Sequence, residues 1–188
     1  PMHFRNKMTK DLPFSMVTIS SRKEQMIDPP DQGLPPPAGK PVVLNVTQEA
    51  DIQNCREESR PFTLTFSGNF RSKTRQELEK THNEKDYLIV NRRWLDQHWN
   101  GTYEELLMLS KFGAAPRGDN LFSYRFTEVM SAGAIPVVHA DGWVLPFRKE
   151  LVDWSECAVH IPEVDANKTN VILAAIDDES RCRMRQRC

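Results

Sequence analysis

The chain has 188 residues, 39% of them hydrophobic, enough for one domain of ordinary size with a buried core, or one domain plus a tail. Lys and Arg total 25 against 26 Asp and Glu, a net charge of -1, which argues against a general nucleic-acid binder because phosphate-backbone binding needs a basic face. No apolar run approaches the ~18 residues of a membrane span.

Residues 1–28 mix charge with short apolar runs, and Phe14–Ser20 reads as a short strand. Pro29–Pro41 holds six of the thirteen prolines, a composition for a loop or extended linker. Val42–Val46 is a brief extended piece, followed by a polar, exposed stretch. Residues 1–59 are thus expected to be an N-terminal extension with a Pro-rich linker, and residues 60–188 the folded domain. The chain opens on Pro1 without an initiator Met, and its last predicted helix stops at Cys188 with no Gly or Pro beyond. Both features read as a segment of a longer protein.

From Arg60 the pattern becomes regular. Pro61–Gly68 has strand composition, Asn69–Asn83 is helical, and Asp86–Asn91 is a second strand. Tyr103–Leu109 is a helix with Thr102 as its N-cap. Ser110–Pro116 is a third strand, Phe122–Gly133 a helix, and Ala134–Ala140 a fourth strand. A short helix is expected over Pro146–Leu151, a fifth strand over Cys157–Ile161, and closing helices over Asn170–Ile176 and Glu179–Arg187. Strands alternating with helices predict an α/β fold with a mainly parallel, Rossmann-like sheet flanked by helices. The loops after Phe66, Val90, Ala115 and Val138 then share the ligand-binding rim.

The four cysteines, Cys55, Cys157, Cys182 and Cys188, contain no CxxC pair, which argues against a zinc site. They are buried thiols or form one or two disulfides. Three Asn-x-Thr sequons start at Asn45, Asn100 and Asn167 where about one is expected by chance, a lean towards a secretory lumen. Asp177-Asp178 precedes a late helix and reads as an N-cap rather than a metal motif.

The informative block runs from Phe112 to Phe147. In its helix Phe122, Phe126, Val129 and Met130 make one apolar face, and Arg125 and Glu128 share the other. The alternative reading of that second face is an exposed i,i+3 ion pair. At a sheet rim, however, Arg125 can reach a diphosphate and Glu128 can accept from ribose hydroxyls. The entering loop Pro116–Asn120 is either a plain turn or an anion loop, in which Gly118 permits a positive φ and open N–H groups and Arg117 adds charge. Gly68 and the helix turn after it form a second such place, with Arg71 nearby. Trp143, Leu145 and Phe147 shape a base or sugar pocket or pack under a loop, and His139 is either a pocket residue or structural. No nucleophile elbow, P-loop lysine or zinc-protease motif occurs.

The block PRGDNLFSYRFTEVMSAGAIPVVHADGWVLPF closely resembles the signature of exostosin-type glycosyltransferases. Supporting stretches are the Phe-Arg to Lys-Asp-Leu-Pro-Phe element of Phe4–Phe14, the strand and Arg-bearing helix of Arg60–Leu78, and the closing Ile-Pro-Glu turn with its last helices. The similarity covers nearly the whole chain and is weakest over the Pro-rich insert. It implies the C-terminal, donor-binding half of a two-Rossmann-domain (GT-B) enzyme. Its substrates would be a nucleotide sugar, with no further cofactor, and a glycan acceptor. Transfer would be inverting and independent of metal. The resemblance puts donor phosphates near Arg71, Arg117, Gly118, Ser123 and Arg125, and the ribose at Glu128. It assigns no catalytic residue to this segment, since the base of such an enzyme commonly belongs to the N-terminal half. The segment alone is therefore expected to bind donor but turn over poorly. A type II Golgi anchor and a heterodimer with another family member are also implied. The alternative is a catalytically inactive member that stabilises an active partner; a cytosolic nucleotide-binding module fits the sequons less well.

Overall fold

The computed structural model describes residues 60–147 and 152–187. The predicted pieces at Phe14–Ser20, Pro29–Pro41 and Val42–Val46 lie outside these residues, as does most of the helix expected over Pro146–Leu151. Five strands form one parallel sheet: β1 (Phe62–Ser67), β2 (Tyr87–Val90), β3 (Ser110–Pro116), β4 (Ile135–His139) and β5 (Val159–His160). Their order is β2-β1-β3-β4-β5. Leu64 lies opposite Tyr87, Thr65 opposite Gly113, and Ala115 opposite Val138. This is the predicted Rossmann-like α/β arrangement, consistent with one half of a GT-B enzyme.

Helices cover both faces, so strands are buried on both sides even at the β2 edge: every residue of β2 and of β4 is buried. Pro136 sits inside β4 without breaking the sheet. Its missing N–H lies on the β5 side, and β5 first pairs one residue later, at Val137. On one face Phe66, Ile89, Phe112 and Val137 pack with Leu78 and Leu173. On the other, Leu88 and Val90 meet Leu95, Leu106, Leu107 and Val129. A third cluster at the end of β4 holds Ala115, Phe126, Val138, Trp143 and Leu145.

The helices are α1 (Lys73–Glu79), α2 (Arg92–His98), α3 (Tyr103–Met108), α4 (Arg125–Ser131), α5 (Thr169–Ala174) and α6 (Asp178–Arg187), with single 3-10 turns at Trp154–Glu156 and Glu163–Lys168. Helix α2 has no predicted counterpart. Asn91 starts it by accepting from the Trp94 N–H at 2.9 Å, a cap directly after an apolar strand. Helix α1 is shorter than the predicted Asn69–Asn83, because Ser72 caps it and the Asn83 side chain takes the N–H groups of Lys85, Asp86 and Tyr87 into a turn. Helix α4 starts three residues later than expected, and Gly133, at φ +67°, ends it. Thr102 and Glu105 form a full capping box on α3, and Asp177 caps α6 by accepting from Ser180 N–H at 2.8 Å. Cys157 and Cys182 are each disulfide-bonded.

Two features aim α4 at the rim. Gly113 of β3 touches it directly: a Cβ there would lie 2.3 Å from a Val129 methyl. At the other end buried Arg60 donates to Ser110 O at 2.8 Å and Ala132 O at 2.9 Å, tying the α4 C-terminus to the start of β3. The chain leaves β1 towards β2, then returns to β3 on the opposite side. The topological switch point therefore lies between the carboxyl ends of β1 and β3, at Ser67 and Pro116, where sheets of this kind bind ligands.

Candidate functional site

Two depressions open at the switch point, of about 400 and about 300 Å³, with Gly68, Arg125 and Glu128 as their common wall. The first turn of α4 supplies the wall. Arg125 Nη1 donates to Glu128 Oε2 at 2.5 Å and Nη2 donates to Ser67 O at 3.0 Å, while the guanidinium carbon lies 4.3 Å from the Tyr103 ring centroid. Three elements thus fix one side chain that remains 30% exposed towards the depressions. Burial works against its charge, but Tyr103 and Glu128 outweigh burial and hold its pKa above the usual value.

Tyr103 opens α3 and lines the smaller depression with Ser67, Arg92 and Glu104. Its hydroxyl is buried and makes no well-formed hydrogen bond, although it lies near the Ser67 backbone. Burial pushes this phenol up to about 12, so it stays a neutral donor at ordinary pH.

The larger depression carries a second guanidinium, that of Arg75 on α1. Arg75 Nε donates to Arg117 O at 3.0 Å, and Nη1 donates to the main-chain and side-chain oxygens of Asn69, both at 3.1 Å. The side chain lies over the Phe66 ring at 5.4 Å, and Nη2 faces Gly118. Burial, and after it the nearby charge of Arg125, lower the Arg75 pKa, with Asp119 acting the other way. Two like charges held near one cavity are the electrostatic mark of an anion site.

Four of the six residues singled out in the sequence, Gly118, Ser123, Arg125 and Glu128, line the larger depression. The other two do not line either one. Arg71 is exposed in the turn before α1. Arg117 directs its side chain to Glu163, Nη1 to Oε1 at 3.5 Å, and only its carbonyl reaches the site, through Arg75. Gly118 also acts differently from expectation. Among described residues the positive-φ glycines are Gly133 and Gly142, and the Gly118 N–H is taken by Asn120 O at 3.1 Å. What matters at Gly118 is the missing Cβ, which would come 3.1 Å from Arg75 Nη2. Arg75 escaped the sequence reading, though its place one turn into a Ser-capped helix was the available signal. Trp143 and Leu145 pack in the third core cluster. His139 is buried and structural, its Nε2 2.8 Å from Thr169 Oγ1.

A family model described as Exostosin GT47 domain matches residues 3–176. The chain is 34% identical over 131 residues to an Exostosin-1 homolog of Caenorhabditis elegans, covering 58% of this chain and 34% of that protein. It is 32% identical over 126 residues to Exostosin-1 of Drosophila melanogaster, covering 56% and 16%. It is also 32% identical over 121 residues to Exostosin-1 of Mus musculus, covering 53% and 16%. The matched stretch therefore spans about a third of the nematode relative's length and about a sixth of the other two. With the switch-point geometry and a family match over most of its length, the chain belongs to the exostosin GT47 family of glycosyltransferases.

Proposed function

We propose that this chain is the donor-binding part of a glycosyltransferase that takes a nucleotide sugar as substrate and passes its sugar, with inversion, to a glycan acceptor. The observation that carries this is the convergence of Arg75 and Arg125 on one depression, with Gly118 and Ser123 in its lining and Glu128 at its edge. In this assignment the two guanidiniums meet the diphosphate and stabilise the charge that grows as it leaves. That is the charge compensation a metal ion would otherwise supply, so transfer is metal-independent. Glu128 accepts from the ribose hydroxyls, and Arg75 takes the phosphate role that the resemblance assigns to Arg71 and Arg117. The base enters the smaller depression beside Tyr103, whose hydroxyl has a hydrogen bond to give.

The acceptor site and catalytic base belong to an N-terminal half of the same chain, and a second family member is a candidate partner. A lumenal setting is supported by the disulfide-bonded Cys157 and Cys182 and by the exposed sequon residues Asn100 and Asn167, and the family resemblance extends this reading to a Golgi protein with a type II anchor. No helix among the described residues is long and apolar enough to cross a membrane. Calorimetry with uridine and guanosine diphosphates tests the site. Arg75→Ala and Arg125→Ala are each expected to weaken binding about tenfold or more, the cost of a lost hydrogen bond to a charged group. Glu128→Ala should do the same to nucleosides and diphosphates alike, and Arg71→Ala should change little. Absence of binding by the unaltered chain, or unchanged binding in both the Arg125 and Glu128 variants, refutes the assignment.

A further inference from the structure

We infer that Glu163 is a positioning residue that gathers the rim loops and sets Arg75 in the donor-phosphate depression; the inference rests on the donor-site reading above. Glu163 opens the 3-10 turn after β5, as the last residue of the closing Ile-Pro-Glu turn. Its side chain is 21% exposed. Oε2 accepts from the Thr74 hydroxyl at 2.5 Å. Oε1 accepts from the Asp141 N–H at 3.0 Å and lies 3.5 Å from Arg117 Nη1. Its own N–H donates to the Asp141 carboxylate, 3.3 Å from either oxygen. One carboxylate thereby joins the first turn of α1, the loop after β3 and the turn after β4 to the loop after β5.

Arg75 stands where two of these ties meet. It follows Thr74 in α1, so the Thr74 bond fixes the turn of helix from which it projects. Its Nε donates to the carbonyl of Arg117, whose side chain Glu163 also holds. Glu163 thus bears on both the base of the Arg75 side chain and the loop that offers its Nε an acceptor, beside the Arg117 N–H bond to His139 O and the Asn69 contacts of Nη1. It lines neither depression itself and need not touch the ligand. Releasing it frees Arg75 to leave the diphosphate position while Glu128 and the Tyr103 cavity, built on α4 and α3, stay in place. A residue that merely supports the fold would weaken every ligand alike.

The test compares diphosphate with nucleoside on the full chain, by calorimetry with uridine and guanosine diphosphates and with uridine and guanosine. For Glu163→Ala the expected result is a diphosphate affinity lower by about tenfold, the scale of one charge-assisted hydrogen bond, with nucleoside affinity changed less than about twofold. Glu163→Gln should be intermediate, since an amide keeps one acceptor oxygen but loses the charge facing Arg117. Thr74→Val, which keeps shape and removes only the donated hydrogen bond, should show a smaller loss of the same selective kind. Should Glu163→Ala not fold, the latter two variants decide the matter. An unchanged diphosphate affinity in folded variants, or equal losses for diphosphate and nucleoside, overturns the inference. Failure of the unaltered chain to bind diphosphate overturns the donor reading instead, and this inference with it.

Discussion

Gly113→Ala tests whether the contact between β3 and α4 sets the site. The new Cβ would lie 2.3 Å and 2.8 Å from the two Val129 methyls and 3.1 Å from the Val129 Cβ. Ordinary contact begins at 3.4 Å, so the nearest methyl must retreat by about 1 Å. Val129 is fully buried, and a β-branched side chain in a helix has one strongly preferred rotamer, so the whole of α4 has to move. Overpacking of this kind costs about 1–3 kcal/mol, or a drop of several degrees in Tm for a domain of this size. Because α4 carries Arg125 and Glu128, the same shift displaces both from the depressions, and nucleoside diphosphate affinity should fall with stability. Val129→Ala alone should cost about 2 kcal/mol through lost methyls and a cavity. In the double variant only the 3.1 Å approach to the Val129 Cβ remains, so Gly113→Ala should then cost less than about 1 kcal/mol, and binding should recover. Urea denaturation of the four proteins gives the coupling, and calorimetry the affinity. Additive costs, or a Gly113→Ala protein as stable as the parent, refute the claim that this contact seats α4.

Two further outcomes follow from the fold. Buried His139 has its pKa pushed down to about 4 by burial, whereas the unfolded chain takes up that proton near 6.5. Its contribution is therefore whole above about pH 6.5 and is lost as pH falls towards 4, a span worth about 3 kcal/mol at most. Tm should decline over that window, and less so in His139→Gln; identical slopes reject the assignment. Expressed through a eukaryotic secretory pathway, the chain should lose mass on N-glycosidase treatment, and Asn100→Gln should remove one glycan from the exposed turn between α2 and α3. A treated and untreated protein of equal mass counts against the lumenal setting.

The sheet was readable because its strands are covered on both faces and leave short apolar runs, as in Tyr87–Val90. Helix α3 was readable from its cap, since Thr102 and Glu105 stand at capping-box spacing. Helix α2 was missed because its seven residues bury only Leu95 and show little period. The same limit governs the site. Arg125 and Glu128 share a helix face, so spacing alone brings them together. Arg75 and Arg117 are 42 positions apart, and which of them turns its guanidinium inward depends on competing partners. Arg117 has Glu163 within reach. Arg75 has two carbonyls for Nε and Nη1 and an aromatic face under its guanidinium, and its Nη2 is left facing Gly118. No local pattern encodes that choice.

Neither arginine leaves a ligand much to reorganise. A free arginine side chain carries about 2 kcal/mol of rotamer entropy, which a binding event normally forfeits. Arg125 has lost that freedom on folding, to Ser67 O, Glu128 and the Tyr103 ring. Arg75 has lost it to Asn69 and Arg117 O. Both charges are therefore fixed before any anion arrives, and the repulsion between them is a cost that the anion relieves. Glu128 is the exception: one of its oxygens is committed to Arg125. A phosphate that takes the Arg125 Nη1 hydrogen bond in place of Glu128, with the guanidinium still held by Ser67 O and the Tyr103 ring, releases this carboxylate oxygen to accept from a hydroxyl. Occupancy of the phosphate position should thus strengthen the hydroxyl position, and by linkage the reverse. Pyrophosphate should accordingly raise nucleoside affinity in the unaltered chain and leave it unchanged in Arg125→Ala. Competition between the two ligands would place them in one shared subsite and refute this coupling.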